Sequence, residues 1–423
     1  MKRFFLLLAM IPMQLIAQEK DLSFFVQSGL QNNPTLLENT NLAQYFSIQK
    51  EIIAAQNKKP QVSATGDYLF APFFNDNGRV ISITDNPSAK AFGYNAGITN
   101  GGLYAAQVNV AVNILNKGVI NNLYAQNNIQ AKVTANSSLQ IKYDVEKNIT
   151  DQYIITYQFL QQTYYLQHII DMLQNRKPLV AALVQKGLLQ QNDFLLLDIQ
   201  LQNAINDLKQ MQYAYKNGIE LLKNFSLIKD TTTYVLQKPE IFILPDPAQR
   251  YYQQKFELDS LNLIAQQNVF NNKYKPQVSI LGSGGINATN LTNAYRNVGV
   301  SAAVHVAIPI SDGRQRKLNN QTTSILINNQ KLYRDNASLL LESNLRNAKQ
   351  QIEQWKASSI ANSELIQKQQ LLLDIIKDKV VSGQVTVMDY INALQEYSVM
   401  QKNKAIAETN ILLYINLYNY YNH

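Results

Sequence analysis

Lys59-Pro60-Gln61-Val62-Ser63 recurs as Lys275-Pro276-Gln277-Val278-Ser279, and each copy opens the same succession of patterns over the next ~150 residues. Repeats of that size are far longer than solenoid units, so the chain reads as two copies of one supersecondary unit. The residues beyond each pentapeptide decide the fold.

Val108, Val110, Val112 and Ile114 alternate with Gln107, Asn109 and Asn113. In the second copy Val300, Ala302, Val304, Val306, Ile308 and Ile310 alternate with Ser301, Ala303 and His305. One apolar and one polar or small face over about ten residues is the pattern of a membrane β-barrel wall; a half-buried strand of a soluble sheet alternates in the same way. The wall reading predicts strands at 62–70 and 104–115 and again at 278–287 and 297–310. It turns Gln107, Asn109, Asn113 and His305 toward a lumen, with Pro60 and Pro276 as the strand-entry junctions. Val108 and Val304 are offset by 196 residues, whereas Pro60 and Pro276 are offset by 216. The difference falls in the first hairpin, around 70–102, which reads as an enlarged exposed loop with turns at Asp76-Asn77-Gly78 and Asn100-Gly101-Gly102.

The prolines fall almost entirely outside what would be long helices. After Pro309 the remaining 114 residues carry no proline and two glycines, Gly313 and Gly383. Proline costs a helix interior about 3 kcal/mol and glycine about 1, so this stretch permits very long helices, one over about 314–382 and one over about 386–421. The first would run roughly 100 Å at about 1.5 Å per residue. In the first copy no glycine falls between Gly118 and Gly187, although Pro178 lies inside the pattern, and 192–225 forms the return. Leu201, Ile205, Leu208, Tyr215, Ile219 and Leu222 step by threes, fours and sevens as a coiled-coil seam requires. The faces between are rich in Asn, Gln and Lys, which suits a wall with water on both sides. Each return helix is half as long as its partner, and segments at 34–58 and 247–274 supply the missing length.

Lys2 and Arg3 followed by an apolar stretch and Ile16-Ala17-Gln18 read as an export signal over 1–17. The expected organisation is then a first repeat at 18–226 with a tip turn at 186–192, a linker at 227–246, and a second repeat at 247–423 with a tip turn at 382–386. The chain contains no cysteine, which excludes disulfides, thiol chemistry and a lipidated N-terminal cysteine. Its formal charge of +8 is spread without a basic block, a poor footprint for nucleic acid. No run of about 18 apolar residues comes after the signal, so membrane association has to come from strands. The three histidines, His168, His305 and His423, lie far apart and none sits in a nucleophile, phosphate-loop or metal-ligand pattern. The sequence therefore names no catalytic, cofactor or metal residue, and the expectation is that the protein is not an enzyme.

The order helix, strand, strand, long helix, glycine turn, helix, twice over, resembles the TolC family of outer-membrane efflux channels. The resemblance rests on the two Lys-Pro-Gln-Val-Ser starts, on the strand exit Val306-Ala307-Ile308-Pro309-Ile310-Ser311-Asp312-Gly313 with its looser counterpart at 110–118, and on the turns at 186–194 and 382–390. Four strands cannot close on themselves, since small barrels need about eight, and open edges are not tolerated in lipid. Chains must pool their strands. Physical reasoning admits two or three copies; the resemblance implies a homotrimer, with a twelve-stranded barrel in outer-membrane lipid and a twelve-helix periplasmic tunnel. It also implies a passive export duct that meets a periplasmic adaptor (a membrane fusion protein) and an inner-membrane transporter. Efflux of small molecules such as drugs is the first reading, type I protein secretion the second and metal export the third. A periplasmic coiled-coil adaptor or structural protein is the alternative of another class.

At the turns, Gly187 and Gly383 suit the left-handed residue that ends a helix, Asn192 and Thr386 the cap of the next, and Thr386 with Asp389 a capping box. The resemblance adds a second role for this set, together with Lys186 and Asp193, as the periplasmic tip where a gate narrows and the adaptor docks. Here the chain departs from the family pattern: Asn392 replaces a second acidic residue and Val385 a basic one. The expectation is a weakly acidic gate held mainly by helix packing.

Overall fold

The computed structural model describes residues 18–84, 86–94, 104–247, 250–289 and 291–423. The expected export signal and the Asn100-Gly101-Gly102 turn lie outside them. In chain order the elements are β1 (Gln18–Lys20), α1 (Leu22–Asn32), α2 (Pro34–Lys58), β2 (Gln61–Tyr68), β3 (Phe73–Asp76), β4 (Arg79–Ser82), β5 (Phe92–Gly93), β6 (Tyr104–Asn113) and α3 (Lys117–Gln185). Then come α4 (Gln191–Phe225), β7 (Tyr234–Leu236), α5 (Tyr251–Phe270), a 3-10 turn at Asn271–Tyr274, β8 (Gln277–Ala288), a 3-10 turn at Leu291–Arg296, β9 (Val298–Ala307), α6 (Gln315–Val381) and α7 (Val387–Asn422). Two compact units result, and each draws on both repeats: one takes the chain up to Asn39 with Asn136–Gln254 and Arg334–His423, the other Thr40–Ala135 and Lys255–Tyr333.

In the second of these units the four long strands form one antiparallel sheet in the order β2-β6-β8-β9. Its register divides most of the side chains by polarity, with Leu281 between Ala111 and Ala303 the large apolar exception on the polar face. Val62 lies opposite Val110, Val108 opposite Gly284, Ile280 opposite Val304, and Val278 opposite Val306, so every valine and isoleucine within these pairs shares one face. Ser63 opposite Asn109, Thr65 opposite Gln107, Ser283 opposite Ser301, and Ser279 opposite His305 share the other. The polar face is stitched by Asn109 Nδ2 to Thr65 Oγ1 at 2.9 Å and by the Ser283 and Ser301 hydroxyls at 2.6 Å. Gly285 permits the closest approach, since a Cβ there would stand 2.1 Å from the Ala106 carbonyl oxygen.

The enlarged loop of the first hairpin carries structure that the sequence does not announce, a three-stranded sheet in the order β4-β3-β5. The Asp76-Asn77-Gly78 turn forms as expected, with φ of +49° and +82° at Asn77 and Gly78. Amides help to tie the helices of this unit, beside the buried Ile120, Leu258 and Ala265. Asn127 Nδ2 donates to the Phe46 carbonyl at 3.0 Å, and Asn122 Nδ2 to the Asn268 carbonyl at 2.9 Å and to Asn272 Oδ1 at 2.8 Å. No residue of α2 is buried, and among the described residues no helix is long and apolar enough to cross a membrane.

The other unit is mainly helical and, among the described residues, holds three apolar cores. One joins both helical hairpins through Leu173, Val180, Leu197, Leu373, Val387 and Leu394. A second packs α1 and β7 on α3 and α4 around Phe25, Tyr153 and Leu222. A third packs Leu345 and Ile352 of α6 on Ile415 and Tyr418 of α7. The predicted seam of α4 is the buried one: Leu201, Ile219 and Leu222 are buried, and Ile205, Leu208 and Tyr215 pack beside them. Helix α1 is not announced by the sequence pattern; Asp21 starts it by accepting the Phe24 N–H at 3.0 Å. Nor is the parallel pairing of β1 with β7, which sets Gln18 opposite Tyr234. The fold is thus an α+β one of duplicated long helical hairpins and an open four-stranded sheet, as the sequence predicts.

Candidate functional site

Both glycine turns are built alike. Gly187 has φ of +70° and Gly383 of +71°, a left-handed conformation that costs an ordinary residue roughly 1–2 kcal/mol. Each closes a Schellman-type end. Gly187 N–H donates to the Val184 carbonyl at 3.0 Å and Leu188 N–H to Leu183 at 2.9 Å; Gly383 N–H donates to Val380 at 3.2 Å and Gln384 N–H to Lys379 at 3.0 Å. The neighbours Leu189 and Val385 fold back onto the shared core of the two hairpins.

The helices after the turns differ in their caps. Thr386 caps α7 as predicted: Oγ1 accepts the Asp389 N–H at 3.1 Å, while the Asp389 carboxylate accepts the Thr386 N–H at 3.0 Å and its hydroxyl at 2.7 Å. Those bonds, the hydroxyl first and the backbone N–H second, hold the Asp389 carboxyl below the usual carboxylate range. In the first turn Asn192 is not the cap, contrary to expectation. The cap is Gln190, whose N–H donates to Asp193 Oδ2 at 3.0 Å and whose carbonyl accepts the Asp193 N–H at 3.1 Å. Asn192 lies inside the helix because Gln190, two residues earlier, is already the extended residue from which α4 starts. Asp193 and Asp389 therefore occupy the same third helical position. Lys186, Asn192 and Asn392 are exposed.

Two groups close to the turns escape a reading of the sequence. Arg176 of α3 lies 5.8 Å from the centre of the Tyr390 ring, linking the hairpins beside a cavity of about 380 Å³ that is also lined by His168, Asp374 and Lys377. Burial pushes the Tyr390 phenol up, while Arg176 acts in the opposite sense. Lys177 pairs with Asp198 and lies 5.6 Å from the Phe194 ring. Consecutive Arg and Lys about ten residues before a glycine are the available signal. Nothing in the spacing says which helix each meets.

At the sheet, Gln107, Asn109, Asn113 and His305 all lie on the polar face, and Pro60 and Pro276 immediately precede β2 and β8. The opposite face is bare, with Val300 92% and Val304 68% exposed. Among the described residues, strands β2 and β9 each leave one edge unpaired. The described sheet is thus open at both edges and bare on its apolar face.

No protein-family model matches the chain, and no curated protein matches its sequence. Solved structures do match its fold. CusC, whose structures concern folding and transmembrane channel formation, superposes with a TM-score of 0.72 at 12% identity over 95% of this chain and 91% of that one. The outer membrane protein VceC from Vibrio cholerae gives 0.69 at 11% identity over 95% and 96%. The open state of the MtrE outer membrane channel from Neisseria gonorrhoeae gives 0.68 at 13% over 95% and 88%. The fold is that of the TolC-like outer-membrane channels, and at these identities the likeness is one of fold.

Proposed function

We propose that this chain is the outer-membrane duct of a tripartite export system. The two-faced sheet with unpaired edges carries the reading. Four strands presenting only apolar or small side chains on one face suit lipid, and the polar opposite face suits a water-filled lumen. Three copies give a twelve-stranded barrel. Leu318, Ile325, Leu332 and Leu339 recur every seven residues and are all exposed along α6, an apolar stripe that a helix of a neighbouring copy would cover. The paired glycine turns form the periplasmic tip. There Asp193 and Asp389 cap helices and contribute a weak acidic ring, and an adaptor docks. The duct is passive, energy comes from an inner-membrane transporter, and small molecules are the cargo.

Fractionation of cells expressing the full chain tests the reading. A heat-modifiable oligomer in the outer membrane that conducts ions in planar bilayers is the expected result, whereas a soluble periplasmic monomer overturns it. A susceptibility panel on a deletion strain tests the cargo: hypersensitivity to small toxic compounds is expected, and a secretion defect without it moves the assignment to protein export.

A further inference from the structure

The charges of the barrel unit are distributed unevenly between the two ends of its sheet. At the end where strands meet helices, Lys58 and Lys59 precede β2 and Lys117 follows β6. Lys273 and Lys275 flank Tyr274 before β8, and Arg314, Arg316 and Lys317 open α6 after β9. Across these junctions, residues 57–61, 113–118, 270–277 and 307–318, the one acid is Asp312. It is occupied locally, accepting the backbone N–H groups of Arg314 at 2.9 Å and Arg316 at 2.7 Å. The described residues of the loops at the other end, within 67–104 and 287–298, hold two acids (Asp67, Asp76) and three bases (Arg79, Lys90, Arg296). Among the described residues one end is strongly basic, eight bases against one acid, and the other nearly balanced.

The basic residues are not spent inside the fold. All but Lys275 are exposed, and among the described residues none of the eight is ion-paired. Several lie beside aromatic rings: Lys58 at 5.7 Å from Tyr124, Lys273 at 5.0 Å from Phe270, and Arg316 at 5.7 Å from Tyr274. Large apolar side chains border them, with Ile310 97% and Leu115 65% exposed. Bases with aromatic neighbours at the boundary of an apolar strand face are the arrangement of a membrane–water interface, where cations on long stems reach the lipid phosphates.

We propose that the eight basic residues of the strand–helix junctions form a belt that binds the phosphate groups of anionic phospholipid. The proposal rests on the outer-membrane barrel reading above. It assigns the belt to the leaflet on the helical side of the barrel and makes it fix the depth of the sheet in the bilayer. Oligomerisation multiplies the effect, because each copy brings a net excess of seven bases, eight against Asp312, at one level.

Flotation of the purified full-length oligomer with vesicles of phosphatidylcholine, alone or mixed with phosphatidylglycerol, is the test. The expected result is insertion into both, with a preference for the mixture that falls as salt is raised. Changing Lys58, Lys59, Lys117, Lys273 and Lys275 together to Gln should reduce that preference at least on the order of tenfold, whereas changing the same five to Arg should preserve it. Equal preference for the two vesicles by the wild type overturns the belt while leaving the barrel intact. A changed anion permeability in the Gln variant, with lipid preference unmoved, also overturns it by turning these bases to the lumen. Failure of the wild type to float with either vesicle overturns the barrel reading, and the belt with it.

Discussion

Asn419 pairs with Leu244 as one peptide group pairs with another. Its Oδ1 accepts the Leu244 N–H at 2.8 Å, and its Nδ2 donates to the Phe242 carbonyl at 2.8 Å. One turn later Asn422 Nδ2 reaches the Pro245 carbonyl at 3.0 Å, and one turn earlier Asn416 Nδ2 donates to Asp151 Oδ1 at 2.8 Å. Asn419 and Asn422 thus strap the extended linker between the repeats to α7 in place of regular structure, while Asn416 ties α7 to α3. Asn419 is buried, so Asn419→Ala should leave two backbone groups without partners and lower stability by about 2 kcal/mol. The urea midpoint of the full chain measures this. An unchanged midpoint would mean that water replaces the amide without loss.

Gly383 is required for its backbone and not for space, since nothing lies within 4 Å of a Cβ built there. Gly383→Val should therefore cost roughly 1–2 kcal/mol through strain alone, and Gly383→Asn less, because asparagine tolerates the left-handed region. Thermal melts of the two variants give the order. In an export assay Gly383→Val should be the more damaged, and full export by it would count against placing the tip at this turn.

Asp389 joins a cap to a proposed gate, and pH separates the two roles. Its lowered pKa means that its contribution to stability is complete above the ordinary carboxylate value of 3.8 and is lost as pH falls through the lower folded value. Near neutral pH the cap is intact and the charge present. Asp389→Ala is therefore expected to reduce the cation selectivity of the reconstituted pore, measured by reversal potential, with the oligomer still assembled. Loss of the oligomer would show that the carboxylate serves α7 and not the pore.

The glycine turns, the long helices and the strand alternation are legible because each depends on a local rule: proline and glycine punctuation, a 3.6 period or a period of two. The Thr386–Asp389 cap is legible for the same reason, as a short motif with its own hydrogen bonds. Gln190 escapes because glutamine is not among the favoured caps, so Asn192 attracts the assignment. Arg176 with Tyr390, β1 with β7, and Asn419 with the linker are not legible, since each partner lies far away in sequence and no periodicity relates them. Leu227 hides in the same way: it takes φ of +55° at the end of α4 where a glycine would have announced the turn.

His423 stacks on Tyr143 with ring centres 4.0 Å apart and planes 5° from parallel, and its carbonyl accepts the Tyr251 N–H at 2.9 Å. Burial first, and then the positive charge of Lys142, lower its pKa below 6.5. A base with a lowered folded pKa stabilises the fold fully above its unfolded value, and that contribution is lost as pH falls from about 6.5 toward the folded value. Stability of the wild type should consequently drop between neutral and mildly acidic pH more than that of His423→Phe, which keeps a ring for the stack. Urea midpoints at the two pH values provide the comparison, and parallel losses would remove His423 as the cause.

Val300 and Ser301 are adjacent in β9 and lie on opposite faces, so a pair of substitutions isolates the direction each face looks. Val300 is opposite Gly284 and almost fully exposed, whereas Ser301 is opposite Ser283, whose hydroxyl it meets at 2.6 Å. If the valine face meets hydrocarbon, Val300→Arg places a cation in lipid at a cost of roughly 2–4 kcal/mol near the midplane, while an arginine on the lumen side stays in water. Replicated once per copy, that cost should deplete the assembled, heat-modifiable oligomer from the outer membrane. Ser301→Arg should assemble and instead shift pore selectivity toward anions. Equal assembly of both variants would mean that the apolar face of the sheet does not meet lipid, and depletion of Ser301→Arg alone would reverse the two faces.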